Sequence, residues 1–136
     1  MAVYGASRLA GVHSDLVRLV TDVGQTRDVQ VVVGARSYLD EQTAIATGHS
    51  KLKDPSHSLH VIIPHLRPLA LAVDIAPVVV ANLVAQPIAW LDIPSFKALA
   101  AYVLERAAAL EIGIRWGGSW ADYDHFELAA NGQCHA

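Results

Sequence analysis

Cysteine is nearly absent: the 136 residues include one, Cys134, two places from the end. A single thiol closes no intrachain disulfide and builds no cysteine-rich zinc site, so Cys134 reads as a plain tail residue. Basic residues are also scarce. Ten Lys and Arg stand against thirteen Asp and Glu, for a net charge of −3, and they form no block. A nucleic-acid partner would require a basic face, so none is expected. Long apolar runs are missing too. The most apolar window, "IAPVVVANLVAQPIAWL" (75–91), is interrupted by Pro77, Asn82, Gln86 and Pro87 and flanked by Asp74 and Asp92. A membrane-spanning helix needs about 20 predominantly apolar residues, so this window is expected to be core strand and loop. The opening "MAVYGASRLAGVHSD" has no basic region followed by an apolar stretch and does not read as a secretory signal. There is no internal repeat, and no compact H-E-x-x-H metal motif.

What is present is a well-mixed apolar chain. Hydrophobic residues make up 53% and charged residues 17%, which excludes a disordered polymer. The length suits one domain, taken here as 1–136 with no second module. Ser14 is placed to cap a helix with apolar positions Leu16, Leu19, Val20 and Val23, ending at Gly24. "VQVVV" (29–33) is short and β-branched and reads as a buried strand. Ser37, with Asp40 three places on, should start a helix over "YLDEQTAIAT", stopped by Gly48. From Gly48 to about Pro68 the composition is that of a loop. "LALAVDI" reads as a strand. The longest helix should begin near Ser95, bury Phe96, Leu99, Ala100, Val103, Leu104, Ala107 and Leu110, and end at Gly113. "IGIRW" and "DHFEL" are short strand candidates around the turn "GGSW". Such an order without a βαβ rhythm predicts an α+β domain with a small, mainly antiparallel sheet packed with helices.

Seven histidines in 136 residues are many, but a lone His is usually a surface or core residue and a count proves nothing; position is more informative. His60 and His65 precede Asp74, and His125 lies three places after Asp122. Two imidazoles and one carboxylate make a three-ligand zinc set with a fourth position open to water. A catalytic zinc also needs an acid or base beside that water, for which Asp122 and Asp124 are the candidates near His125. The plainer alternative is that Asp74 caps a turn, His125 packs under Phe126 and Asp122 is solvated.

Several segments, in order, carry a family resemblance. "SRLAGVHSDLVRLV" is similar to the opening helix of the M15 group of zinc peptidases, in particular phage endolysins that act as L-alanyl-D-glutamate peptidases. "VVVGARSYLDEQTAIATGHSKL" resembles their strand, G-x-R-[ST] motif, helix and following loop. "SLH" and "LAVDIAP" resemble the two ends of their S-x-H-x-x-G-x-A-x-D motif. "IRWGGSWADYDHFEL" resembles their W-G-G-x-W segment and D-x-x-H-F-[EQ]-L end. The resemblance implies the fold shared by D-Ala-D-Ala peptidases and hedgehog signalling domains. It implies zinc on His60, Asp74 and His125, Asp122 as catalytic acid/base, and Arg36 near the substrate, binding a carboxylate or the developing oxyanion. The bland role for Arg36 is a salt bridge with Asp40 or Glu41.

The implied substrate is the peptidoglycan stem peptide, cut by a monomer made in the host cytoplasm that reaches the wall once another protein opens the membrane. A D,D-carboxypeptidase or dipeptidase of the same fold, a non-catalytic wall-binding module and a plain structural domain remain as alternatives. Two departures mark this chain. The family motif sets its histidine seven places before its aspartate, whereas His60 and Asp74 are fourteen apart and the motif's glycine is missing; the segment from Trp120 to His125 is also short, with Ser119 where an acidic residue is common. The extra residues are expected to bulge outward within "VIIPHLRPLAL", helped by Pro64 and Pro68, leaving His60 in place and His65 as the alternative ligand.

Overall fold

The computed structural model describes residues 1–49, 52, 54 and 58–129; Cys134 and part of the loop expected after Gly48 lie outside the described residues. Along the chain come β1 (Val3–Tyr4), α1 (Ser14–Gly24), β2 (Val29–Val33), β3 (Arg36–Ser37), α2 (Tyr38–Ala46), β4 (Val61–Ile62), β5 (Ala72–Pro77), β6 (Val80–Ala81), β7 (Val84–Ala85), α3 (Ile93–Ala109), β8 (Ile114–Trp116) and β9 (His125–Leu128). The main sheet has the order β1-β2-β5-β9-β8, and every neighbouring pair is antiparallel except β1 with β2. This is the α+β class expected from the sequence. β3 and β4 form a small parallel pair, and β6 and β7 a separate hairpin.

Helices α1 and α3 pack on each other and against the sheet. Leu16, Leu19, Val20 and Val23 of α1 are all buried, as their spacing requires. The cap is His13, not Ser14: its Nδ1 accepts from Asp15 N at 3.1 Å, while its own N–H donates to Ala70 O at 2.9 Å. That second bond holds His13 outside the helix and makes Ser14 the first helical residue. The segment before it is a short 3-10 turn, Ala6–Leu9, followed by Gly11 at φ 81, so the opening helix is shorter than its resemblance implied. α2 begins as expected, with Ser37 Oγ accepting from Asp40 N at 3.0 Å.

α3 starts at Ile93, two residues before the expected Ser95, because Asp92 caps it through Ser95 N and Ser95 Oγ. Pro94 falls in the first turn, where a missing N–H leaves no helical bond unmade. Leu104, expected on the buried face, is 37% exposed: the helix meets α1, β5 and β8 along Leu99, Ala100, Val103 and Ala107, and Leu104 lies at the edge of that stripe.

The strand expected at "LALAVDI" begins at Ala72 and runs to Pro77. Beyond Pro77 the chain leaves the core. Asn82 and Leu83, at φ 52 and 65, make the tight turn between β6 and β7, and this hairpin pairs only with itself among the described residues. Val79, Leu83, Val84 and Leu91 are exposed. The apolar window 75–91 is thus core strand only at its start, since no layer among the described residues covers most of the rest. The loop after Gly48, read as irregular throughout, contributes β4 beside β3.

Register places the chemistry. In β5 and β9, Val73, Ile75, Phe126 and Leu128 belong to the apolar cluster formed with the helices. Side chains alternate along a strand, so Asp74, His125 and Glu127 project from the opposite face. Asp74 is paired directly with His125, and Glu127 with Arg115.

Candidate metal centre

His60 reaches that face from the turn before β4. Its backbone carbonyl accepts from Arg36 N at 2.8 Å, which ties the turn to β3, and Leu71 N donates to Leu59 O at 2.7 Å, which closes the base of the long His60-to-Asp74 connection. Between those anchors the extra residues bulge. Ile63 and Arg67 bond to each other through both N–H groups, at 2.8 and 2.7 Å. Pro64, His65 and Leu66 are exposed at the tip, His65 in the left-handed region at φ 70. Arg67 Nη1 donates to Ser58 O at 2.5 Å and holds the bulge down. Among the candidates, then, His60, Asp74 and His125 come together and His65 does not.

The three offer ligand atoms that all lie within 4.8 Å of one another. His60 Nε2 and His125 Nδ1 each stand 3.1 Å from the same Asp74 Oδ1. The outer nitrogens are engaged too: His60 Nδ1 at 2.9 Å from Gly34 O, and His125 Nε2 at 2.9 Å from Glu127 Oε1. A carbonyl oxygen only accepts, so His60 Nδ1 carries the proton and donates it. The inner nitrogen of a neutral His60 is then a lone pair aimed at a carboxylate oxygen. Two lone pairs facing one carboxylate need a cation between them, either protons or a metal ion. The donor set, two imidazole nitrogens and one carboxylate oxygen, fits a divalent transition metal.

Without a metal, hydrogen bonds and a proton on His125 balance the Asp74 charge. Burial disfavours the charge on Asp74, but hydrogen bonds from His125 and His60 outweigh it and hold the carboxyl well below its usual range. Burial likewise opposes a charged His125, yet its bonds to Asp74 and Glu127 prevail and push the imidazole up to about 9. Asp74 can stand among apolar neighbours because cationic partners compensate it; a buried carboxylate without one would be costly.

Asp122 lies at the wall of the same cleft, its Oδ2 3.8 Å from His125 Nδ1 and its side chain 46% exposed. The "WGGSW" turn puts it there. Asp122 N donates to Gly117 O at 2.9 Å, and a Cβ on Gly117 would lie 2.4 Å from Asp122 O. A Cβ on Gly118 would strike the Trp116 ring, whose Nε1 donates to Tyr123 O at 2.8 Å. Asp124 is pushed up to about 8, first by burial, then by the nearby Asp74 charge and a hydrogen bond with Asp122. It therefore holds its own proton at neutral pH, and it is not among the residues lining the cleft.

Arg36 also lines the cleft, which has a volume of about 520 Å³. Its Nη1 donates to Glu41 Oε2 at 2.5 Å, and Glu41 is 1% exposed. Of its two anticipated salt-bridge partners, Glu41 is the one it meets.

The family model described as phage L-alanyl-D-glutamate peptidase matches residues 1–132. The chain belongs to this family. Among solved structures, the peptidase is similar to the L-Ala D-Glu endopeptidase ChiX of Serratia marcescens, with 26% identity and a TM-score of 0.67 over 90% of this chain and 84% of that one. No curated protein matches the sequence. The peptidase is thus an enzyme of peptidoglycan degradation. Two groups that hold the histidines of this cluster escaped the sequence reading. Glu127, two places after His125 on a strand, shares its face by simple alternation, a signal already legible in "HFEL". The Gly34 carbonyl had no such signal: Gly34 is needed because a Cβ there would lie 1.8 Å from Arg8 O, and the carbonyl's aim at His60 follows from the fold.

Proposed function

We propose that the peptidase is a zinc enzyme that hydrolyses the L-alanyl-D-glutamate bond of the stem peptide, with His60, Asp74 and His125 as ligands and Asp122 as acid/base. The observation that carries this is the convergence of two imidazole nitrogens on one Asp74 oxygen while both outer nitrogens are otherwise engaged. Zinc held there would polarise the scissile carbonyl and lower the pKa of a water molecule. Asp122, at the cleft wall, would take the proton from the attacking water and return it to the leaving amine. Asp124 is the weaker candidate because it does not line the cleft. Arg36, steadied by Glu41, would meet a substrate carboxylate or the developing oxyanion with its planar fork of donors.

All three ligand residues come from one chain, which supports action as a monomer. The family's phage character supports synthesis in the host cytoplasm and action on the wall after the membrane is permeabilised. Cells expressing the protein should then stay intact until their membrane is opened.

Metal analysis with an assay on purified peptidoglycan tests the reading. The protein should carry zinc, a chelator should abolish hydrolysis, and added zinc should restore it. Mass analysis should find fragments with a newly exposed D-glutamate amine. Release of D-alanine would instead indicate a D,D-carboxypeptidase, and full activity in metal-free protein would overturn the zinc assignment.

A further inference from the structure

We propose that Glu127, backed by Arg115, is a positioning residue that fixes which nitrogen of His125 faces the metal. The inference rests on the zinc reading above. Glu127 is two residues from His125 on β9 and therefore on the same face of the sheet. It is 9% exposed, and its two carboxylate oxygens have separate partners: Oε1 meets His125 Nε2 at 2.9 Å, and Oε2 accepts from Arg115 Nη2 at 2.7 Å. Arg115 is the cross-strand partner of Glu127 in the β8–β9 register, so both ends of the relay are set by the sheet.

An ionised carboxylate can only accept a hydrogen bond. Beside Glu127, His125 donates from Nε2, so in the neutral ring that binds a metal the lone pair is on Nδ1, on the Asp74 side. The two histidines are therefore oriented by different devices. His60 donates to a backbone carbonyl, whereas His125 donates to a carboxylate whose other oxygen accepts from a guanidinium. A carboxylate in this place also makes the imidazole a stronger donor to a metal, and loss of such an outer partner typically costs about 10–100-fold in metal affinity. Arg115, with its side chain 53% exposed, acts one step further out, so its own removal should cost less.

The test measures zinc affinity by competition with a chelator, and the His125 tautomer by long-range proton–nitrogen NMR of the zinc-loaded protein. Wild type should show the proton on Nε2. Glu127→Leu should bind zinc about 10–100-fold more weakly, with an unchanged circular dichroism spectrum. Glu127→Gln keeps an accepting oxygen and should recover most of that loss together with the Nε2–H tautomer. Arg115→Met should fall between Glu127→Gln and wild type. Glu127→Leu with wild-type affinity and tautomer would overturn the proposal. So would equal losses in the Leu and Gln variants, since charge rather than the hydrogen bond would then be at work. If Glu127→Leu does not fold, the wild-type spectrum still decides: a His125 proton on Nδ1 excludes this role. Failure of wild type to bind zinc would defeat the metal site itself, a distinguishable result.

Discussion

The main sheet has two faces made by the same strands under opposite rules. On one, Val73, Ile75, Phe126 and Leu128 lie against α1 and α3 in a dry apolar layer. On the other, the intervening Asp74, His125 and Glu127 gather two carboxylates and an imidazole around a cleft that His60 completes. Neighbours in the chain thus have unrelated environments, because each successive side chain of a strand changes face. Stability and chemistry are interleaved residue by residue yet kept apart in space, so substitutions on the two faces should have separable consequences.

The largest effect is expected where the cleft face is completed from outside the sheet. His60→Ala should lose both zinc and hydrolysis, whereas His65→Ala, at the tip of an exposed bulge, should keep its zinc and change activity modestly. The long connection between His60 and Asp74 is no obstacle, since loop closure costs only about 0.6 kcal/mol per doubling of length. Metal content of the two purified variants checks this. A zinc-replete His60→Ala beside a zinc-free His65→Ala would reverse the assignment and move the cleft.

Next comes Asp122→Asn. General acid–base groups contribute about 10²–10⁴-fold in rate, so turnover should fall by that order with zinc content and melting temperature nearly unchanged. Asp124→Asn should cost much less, because that side chain does not line the cleft. If the two variants exchange roles, the acid/base is Asp124.

The dry face gives the reciprocal result. Phe126 is 1% exposed, and its truncation to Ala should cost about 3–5 kcal/mol of stability. Below its lowered melting temperature, the folded fraction should keep zinc affinity close to wild type. A specific loss of zinc at temperatures where Phe126→Ala remains folded would show that the two faces are coupled through β9.

Much of this two-faced design is legible in the sequence. In "LAVDIAP" and "DHFEL" the alternation of apolar and polar residues already separates Val73 and Ile75 from Asp74, and Phe126 from His125 and Glu127. Leu16, Leu19, Val20 and Val23 announce α1 by their spacing for the same reason, one face against one layer. What fails is whatever depends on a partner distant in the chain. The window 78–91 is as apolar as a core strand, yet hydropathy does not say whether a layer covers it, and none among the described residues covers most of it. The cap at His13 depends on a bond to Ala70 O, far along the chain. The gathering of His60 with Asp74 was suggested by motif resemblance; fourteen residues of spacing alone would not have placed them together.

The smallest expected effect contrasts a carboxylate of the helical layer with Asp74. Asp22 on α1 accepts from Arg106 Nε at 2.6 Å and from Nη2 at 3.0 Å, a two-pronged clasp onto α3. Both carboxyls are held below the usual range, Asp74 by imidazoles in the cleft and Asp22 mainly by the Arg106 hydrogen bond, with burial opposing and the guanidinium charge assisting. A carboxyl lowered in the folded state contributes stability that is present above its unfolded pKa, about 3.9, and lost as pH falls through the lower folded value. Asp22→Asn should therefore lower the urea midpoint slightly at neutral pH, since partly exposed ion pairs contribute little. The gap from wild type should close as the pH falls below the unfolded carboxyl value and through the lower folded one. Zinc content and hydrolysis at neutral pH should not move, because Asp22 belongs to the other side of the sheet. A gap that persists in acid would assign the effect to packing rather than to the ionised carboxylate, and a loss of zinc would break the separation of the two faces.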